Sequence, residues 1–113
     1  MKNRPDLLEM AKSLNWFIFN NSINLEQVNI EYRDNLPNSI WGLTLGFEDN
    51  RTLERFSSIF IKPFGDIMVV LTHELVHAFQ IQMKQKVNHN SAFMRYYEKK
   101  AREIGIEIDM RKY

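Results

Sequence analysis

The first segment of the chain has the hydrophobic periodicity of a helix. Pro5 and Asp6 are typical of a helix start, and the pair Asn20 and Asn21 is typical of a helix end. Between these signals, apolar residues recur at i, i+4, i+7 and i+11, the spacing that places side chains on one face of a helix. The pattern therefore predicts a first helix with an apolar face made by Leu7, Leu8, Ala11, Leu14 and Ile18.

A strand-like alternation follows. Two predicted strands, separated by a turn at Asn35 to Asn38, alternate apolar with small or polar residues: Val28, Ile30 and Tyr32 in the first, and Trp41, Leu43, Leu45 and Phe47 in the second. Gly42 and Gly46 share one face of the second strand, which indicates a bulge or the close approach of another backbone. A short third strand is predicted from Ser58 to Ile61, before Pro63.

Helical spacing returns from about Phe64 to Lys86 and predicts a second helix. His73 and His77 lie opposite a broad apolar arc of this helix. At 100° per residue the arc contains Phe64, Ile67, Met68, Leu71, Leu75, Ala78 and Phe79.

A third helix is predicted after the interruption at Asn88 to Ser91, with Gly105 as its C-terminal cap. Its apolar positions are Phe93, Tyr97, Ala101 and Ile104, and a short terminal strand is predicted at Ile106, Ile108 and Met110. The chain contains no internal repeat, low-complexity tract or Gly/Ser linker. We therefore expect residues 1–113 to form a single α+β domain.

Composition restricts the chemistry that the chain can carry. The 113 residues are 44% hydrophobic and 26% charged, as in ordinary globular proteins. The absence of cysteine excludes disulfides, thiolate nucleophiles and cysteine-containing zinc fingers, so a transition-metal site must use histidine and carboxylate. Neither a signal-peptide pattern at the start nor an apolar stretch of membrane-spanning length is present, which predicts a cytoplasmic protein without a membrane partner.

The net charge of +1 is unevenly distributed. Residues 84–113 carry eight Lys/Arg and four Asp/Glu, a balance of +4, whereas residues 1–83 carry seven and ten, a balance of −3. A solvated helix face is the simplest interpretation. Single-stranded DNA binding is the alternative, since aromatic residues lie among the basic ones; the residues concerned are Lys84, Lys86, Lys99, Lys100, Arg102, Tyr96 and Tyr97.

The second helix contains the motif HExxH, spelled His73-Glu74-Leu75-Val76-His77. Histidines one helical turn apart lie about 5–6 Å apart at Cβ, so both imidazoles can reach one metal ion. Glu74 flanks this face, where it can reach a water bound to the metal without being a ligand itself. The alternative is a pair of core or surface histidines on an ordinary amphipathic helix; the position opposite the apolar arc argues against a core role.

A catalytic zinc site keeps three protein ligands and one open position, so a third ligand is needed. His89 is the candidate, because a helix end and a turn precede it and leave enough chain to fold back over the first two histidines. A glutamate from the following helix, Glu98 or Glu103, is the alternative. The metzincin pattern does not fit, because Gln80 and Met83 stand where that family has glycine and histidine.

These motifs resemble those of the SprT-like, or Spartan-type, metallopeptidases, in which HExxH is followed by a loop and His-Gly-x-x-Phe. The matching second stretch here is His89-Asn90-Ser91-Ala92-Phe93. Asn90 replaces the glycine, as a residue suited to positive φ or to capping the third helix. We expect no counterpart of the zinc ribbon or basic extension that many members use to bind DNA, since there is no cysteine and the chain stops at Tyr113.

The resemblance implies a zincin-like fold: an N-terminal helix, a small, mainly antiparallel three-stranded sheet, the HExxH helix and a C-terminal helix. It also implies Zn²⁺ as cofactor, His73, His77 and His89 as metal ligands, Glu74 as catalytic base and a protein or peptide substrate, including DNA-associated proteins. By the same resemblance, substrate would lie along the sheet edge, at the predicted strand from Ser58 to Ile61.

The residue that assists at the oxyanion is left open among Arg95, Tyr96 and Tyr97, which follow His89 in sequence. Core packing is the alternative role for Tyr97. A zinc-containing but non-catalytic module that binds protein or nucleic acid is the alternative function.

Overall fold

The computed structural model describes residues 4–109. In this part of the chain three helices and a three-stranded sheet form an α+β fold. The elements, in chain order, are α1 (Leu7–Phe19), a 3-10 turn (Leu25–Gln27), β1 (Val28–Tyr32), β2 (Gly42–Glu48), β3 (Arg55–Ile61), α2 (Ile67–Gln82) and α3 (Ala92–Glu103). The three predicted helices and the first three predicted strands are thereby confirmed as elements, with shifts at their ends.

The caps of α1 agree with the sequence signals. The Asp6 carboxylate accepts hydrogen bonds from the backbone N–H groups of Leu8 and Glu9, which have no partner inside the helix. At the other end Asn20 and Asn21 adopt left-handed backbone angles, with φ of 51° and 61°. Asparagine tolerates this conformation better than most residues, so the helix ends here.

The expectation of a mainly antiparallel sheet was wrong. The strand order is β1-β3-β2; β2 pairs with β3 antiparallel, but β1 pairs with β3 parallel, so the sheet is mixed. β3 also begins at Arg55, earlier than predicted. Its central place explains its burial, since Ile59 and Ile61 are inaccessible to solvent. Alternation along a strand fixes which face a side chain takes and does not fix which strand lies beside it.

Helix α2 is shorter than predicted and buried on all sides from Val69 to Ile81. It packs against β2 and β3 on one side and against α1 and α3 on the other. Two members of the predicted apolar arc, Phe64 and Met68, are instead 55% and 43% exposed. They lie before and in the first turn of the helix, where the sheet and the other helices no longer cover it.

Helix α3 has Ser91 as its N-cap, whose hydroxyl accepts from the backbone N–H of Met94. Gly105, with φ of 91°, follows its end as predicted. The predicted terminal strand is wrong for residues 106–109, which form no regular element although Ile106 and Ile108 are buried against the core. Met110, the last residue assigned to that strand, lies outside the described residues.

The glycines of β2 allow α2 to lie unusually close to the strand. A Cβ added at Gly42 would lie 2.6 Å from Val70 Cγ1 and 3.0 Å from Glu74 Cγ, and one added at Gly46 would lie 2.7 Å from Ile81 Cδ1. A close approach was expected, but it is made by side chains of the helix rather than by another backbone. The glycine face thus sets the distance between β2 and α2.

Gly42→Ala is expected to destabilise the protein by about 1–3 kcal/mol, because the new methyl group collides with Val70, a β-branched side chain with little rotamer freedom. Gly46→Ala is the matched control and should cost less, since the Ile81 terminal methyl can rotate away. Urea unfolding of both variants measures the difference. Equal stability of Gly42→Ala and the wild type would contradict the close packing.

Candidate metal centre

His73 and His77 lie on successive turns of α2 and point their rings to the same side. Their Nε2 atoms are 3.1 Å apart and their ring centroids 4.7 Å apart. Both side chains are buried, and His73 is fully inaccessible. The predicted pairing of the two HExxH histidines is therefore present, but in the interior and not on a solvent-facing side of the helix.

His89 is brought to this pair by the segment between α2 and α3. Its Nε2 atom lies 3.0 Å from Nε2 of His77, and its ring stacks on the ring of His73 at a centroid distance of 5.1 Å. One nitrogen from each histidine can be chosen so that all three lie within 4.8 Å of one another. The three predicted histidines could thus hold one metal ion.

The remaining predicted alternatives do not join this cluster. Among residues 4–109, the group of candidate ligands consists of the three histidines and contains neither Glu98 nor Glu103. Glu98 instead forms an ion pair with Arg102 one turn further along α3. A glutamate ligand of the gluzincin type therefore has no support.

The segment that carries His89 is anchored at both ends. Lys84 takes a left-handed conformation, with φ of 58°, and the backbone N–H of Gln85 donates to the Gln80 carbonyl (2.8 Å). Asn90 neither has a positive φ nor caps α3; its carbonyl accepts from the Arg95 guanidinium (2.9 Å), while Ser91 provides the cap. Both proposed reasons for asparagine at this position were wrong.

Glu74 lies beside the histidines and is only 4% exposed. One carboxylate oxygen accepts a hydrogen bond from the Thr44 hydroxyl (2.6 Å), and the other lies 3.9 Å from His73 Nε2. Burial raises the pKa of Glu74 to about 7, and the Thr44 hydrogen bond opposes this in part. The carboxyl group is therefore close to half-ionised at neutral pH.

The buried histidines are neutral at that pH. Burial, with smaller effects of His77 and His89, lowers the pKa of His73 to about 3. Burial also lowers the pKa of His77, although its hydrogen bond to Gln80 acts in the opposite direction. His73 and Glu74 consequently do not form an ion pair, and the imidazoles are in the protonation state that binds metals.

These shifts predict that the metal-free protein is most stable near pH 6.5. Below the ordinary histidine pKa of 6.5, His73 and His77 bind protons in the unfolded chain but stay neutral in the folded protein. The folded state therefore loses stability as the pH falls. Glu74 acts in the opposite direction. From its ordinary pKa of 4.5 up to about pH 7 it keeps a proton that the unfolded chain has released, which partly offsets the effect of the histidines up to pH 6.5 and leaves a net loss of stability above that pH. Each fully buried group contributes at most about 1.4 kcal/mol per pH unit.

Urea unfolding in the presence of a chelator, from pH 4.5 to pH 8, measures this profile. Glu74→Gln is the matched control, because it removes the opposing contribution of Glu74: the decline above pH 6.5 should disappear, and the rise in stability from pH 4.5 to pH 6.5 should become steeper. A profile that is flat across this range would contradict the assigned protonation states.

Thr44 and Gln80 are two residues of the site that sequence reasoning did not assign to it. Thr44 lies between Gly42 and Gly46 on the face of β2 that contacts α2, and its alternation with the glycines was the signal that could have revealed it. Gln80 is fully buried and contacts His77 Nδ1. A polar residue one turn after the second histidine of HExxH carries no distinct sequence signal.

The three residues considered for stabilising the oxyanion, Arg95, Tyr96 and Tyr97, have different surroundings. Tyr97 packs in the core, stacked on Phe19 at a centroid distance of 4.8 Å, so its structural role is confirmed. Tyr96 is exposed and lies under the Lys100 ammonium. Arg95 contacts the His89 segment through the Asn90 carbonyl. None of these contacts involves a histidine ring, so the oxyanion role stays a prediction.

The expected substrate strand was placed wrongly. Ser58 to Ile61 belongs to β3, which is hydrogen-bonded to a strand on each side and is not a sheet edge. The edge nearest to Glu74 is β2, through Thr44. Beside it runs a groove of about 440 Å³ lined by Thr44, Gly46, Phe47, Glu48, Arg55, Ile81 and Val87.

No protein-family model, curated protein or solved structure matches this chain. The fold and the site therefore define an α+β protein with a cluster of three histidines that could hold a metal ion. Within residues 4–109, no helix is long and apolar enough to cross a bilayer.

Proposed function

We propose that this protein is a zinc-dependent endopeptidase of the SprT-like, zincin type. The observation that carries the proposal is the convergence of three histidine nitrogens, with Nε2 separations of 3.0 and 3.1 Å around His77. Nitrogen ligands at about 2.0–2.1 Å from a tetrahedral zinc ion would stand about 3.3 Å apart. The two separations at His77 are close to this value, and one nitrogen from each histidine lies within 4.8 Å of the others.

The donor set favours zinc and an open coordination position. Three imidazoles match the ligands of known catalytic zinc sites, whereas structural sites take four protein ligands. Two of the ligands are buried and His89 is exposed, so solvent and substrate would approach from the His89 side. The same asymmetry supports an open catalytic site rather than a closed structural one.

Zinc held by His73, His77 and His89 would supply Lewis acidity, which activates water as a nucleophile and polarises a carbonyl oxygen. Glu74 accepts the proton of the attacking water and later gives it to the departing amine, from its position beside the histidine cluster. The Thr44 hydroxyl donates a hydrogen bond to one carboxylate oxygen of Glu74. The other oxygen, which lies nearer to His73, is then available to accept the proton of the water.

The substrate we propose is an extended peptide that lies along β2. Its strand edge is next to Thr44, and the adjoining groove offers apolar side chains together with the Arg55–Glu48 ion pair. The excess of basic residues in 84–113 supports the expectation that the substrates include DNA-associated proteins. Of these basic groups, Arg102 is engaged by Glu98, and Lys100 lies over Tyr96.

Metal analysis of purified wild type and His89→Ala tests the proposal, followed by casein hydrolysis with zinc-loaded and chelator-treated protein. We expect one zinc per wild-type chain, a large loss in His89→Ala, and hydrolysis by the loaded wild type alone. One zinc per chain without hydrolysis of casein or of the chain itself, with and without DNA, would favour the non-catalytic binding module. Absence of zinc would overturn the metal centre itself.

A further inference from the structure

The amide of Gln80 lies between the two chain segments that bring His77 and His89 together. It is inaccessible to solvent, and its Oε1 atom is 2.8 Å from Nδ1 of His77. Its Nε2 atom donates to the backbone carbonyl of Asn88, 3.4 Å away, in the residue directly before His89. One side chain therefore contacts the second histidine of the cluster and the neighbour of the third.

The Asn88 carbonyl determines the orientation of this amide. A carbonyl oxygen can only accept hydrogen bonds, so the NH₂ group of Gln80 must face Asn88 and its oxygen must face His77. The oxygen in turn can only accept, which requires the His77 proton to be on Nδ1. The lone pair of His77 is then on Nε2, the atom that lies 3.0–3.1 Å from Nε2 of the other two histidines.

The main chain of Gln80 reinforces the same connection. Its carbonyl accepts from the backbone N–H of Gln85, just after the left-handed turn at Lys84. The residue thus holds the beginning of the connecting segment with its backbone and the end of that segment with its side chain. An apolar residue would fill this buried position but would make neither side-chain contact.

We propose that Gln80 is a positioning residue of the metal centre: it fixes the tautomer of His77 and ties the segment that carries His89 to helix α2. The inference depends on the metal-binding part of the proposed function and not on peptide hydrolysis. Partners that orient metal-bound histidines in this way typically contribute 10–100-fold to metal affinity.

Three variants separate the two side-chain contacts. Gln80→Leu removes both contacts and should weaken zinc binding about 10–100-fold. Gln80→Glu keeps an acceptor for His77 and loses the bond to Asn88, so its loss should be smaller than that of Gln80→Leu. Gln82→Leu is the matched control, because Gln82 also makes two amide hydrogen bonds from α2, to the backbone of Asn24, away from the histidines.

Zinc affinity is measured by competition with a chelator, and Co²⁺ replaces zinc for visible spectroscopy. We expect Gln80→Leu to change the Co²⁺ spectrum and Gln82→Leu to leave spectrum and affinity as in the wild type, even if both lower the melting temperature. Wild-type affinity and spectrum in Gln80→Leu, or an equal loss in Gln82→Leu, would overturn the inference.

Nitrogen NMR of the wild-type imidazoles gives a measurement that does not depend on a folded variant. His77 should carry its proton on Nδ1 in both the metal-free and the zinc-loaded protein. A metal-free protein with the His77 proton on Nε2 contradicts the role of Gln80. A wild type that binds no zinc would instead refute the proposed function, so the two failures are distinguishable.

Discussion

A Glu74→Gln protein is expected to hold zinc as tightly as the wild type and to hydrolyse peptide bonds about 10²–10⁴-fold more slowly. The amide has nearly the same shape as the carboxylate, and its oxygen can still accept from the Thr44 hydroxyl. It cannot, however, take a proton from water at neutral pH. The change therefore removes the base and leaves the three histidines in place.

Steady-state hydrolysis of casein or of a fluorescent peptide, with zinc content measured on the same samples, gives the result. Glu103→Gln is the matched control, because this residue is an exposed glutamate at the end of α3, outside the histidine cluster. We expect it to retain wild-type turnover. Turnover of Glu74→Gln equal to that of the wild type would remove the peptidase proposal, whatever the metal content.

The second large effect is expected from His77→Ala. His77 is central to the cluster, since its Nε2 atom is within 3.1 Å of Nε2 in both of the other histidines. Zinc sites in small domains bind with about 10–16 kcal/mol, so the loss of one of three ligands should weaken binding on the order of 10³-fold. The imidazole is replaced by a methyl group, and nothing else in the described part of the cluster can take its place.

Thermal unfolding reveals the same loss as a change in stability. Zinc at about 1,000 times its dissociation constant adds about 4 kcal/mol to the stability of the wild type, on the order of 15 °C in melting temperature. At that zinc concentration His77→Ala should gain a few degrees or less. Equal zinc-dependent shifts in the two proteins would contradict the assignment of His77 as a ligand.

The sequence predicted the elements of this fold better than their arrangement. Helix α1 was recognisable because Asp6 and Asn20 mark its ends and its apolar residues repeat at helical spacing. The strands were recognisable from alternation. The order of the strands was not, because alternation contains no information on neighbours, and the parallel pairing of β1 with β3 depends on contacts distant in sequence.

The spacing of the histidines and their small number were enough to predict the three histidines of the site. One helical turn separates His73 from His77, so their proximity follows from helix geometry alone. His89 followed from the need for a third ligand. The spacing of the histidines could not reveal Thr44 or Gln80. Thr44 reaches Glu74 from β2, a contact between elements distant in sequence, and Gln80 contacts His77 from within α2, where a single glutamine is common.

The burial of α2 on every side has a consequence for how an ion enters and leaves. Two of the candidate ligands, His73 and His77, are buried within this helix, so they keep their places as long as the protein is folded. The third, His89, belongs to an exposed segment between helices. An ion held by the three histidines would therefore be able to exchange with solution when this segment moves outward, and we expect the exchange rate to follow the opening of this short connection rather than the far slower unfolding of the whole chain.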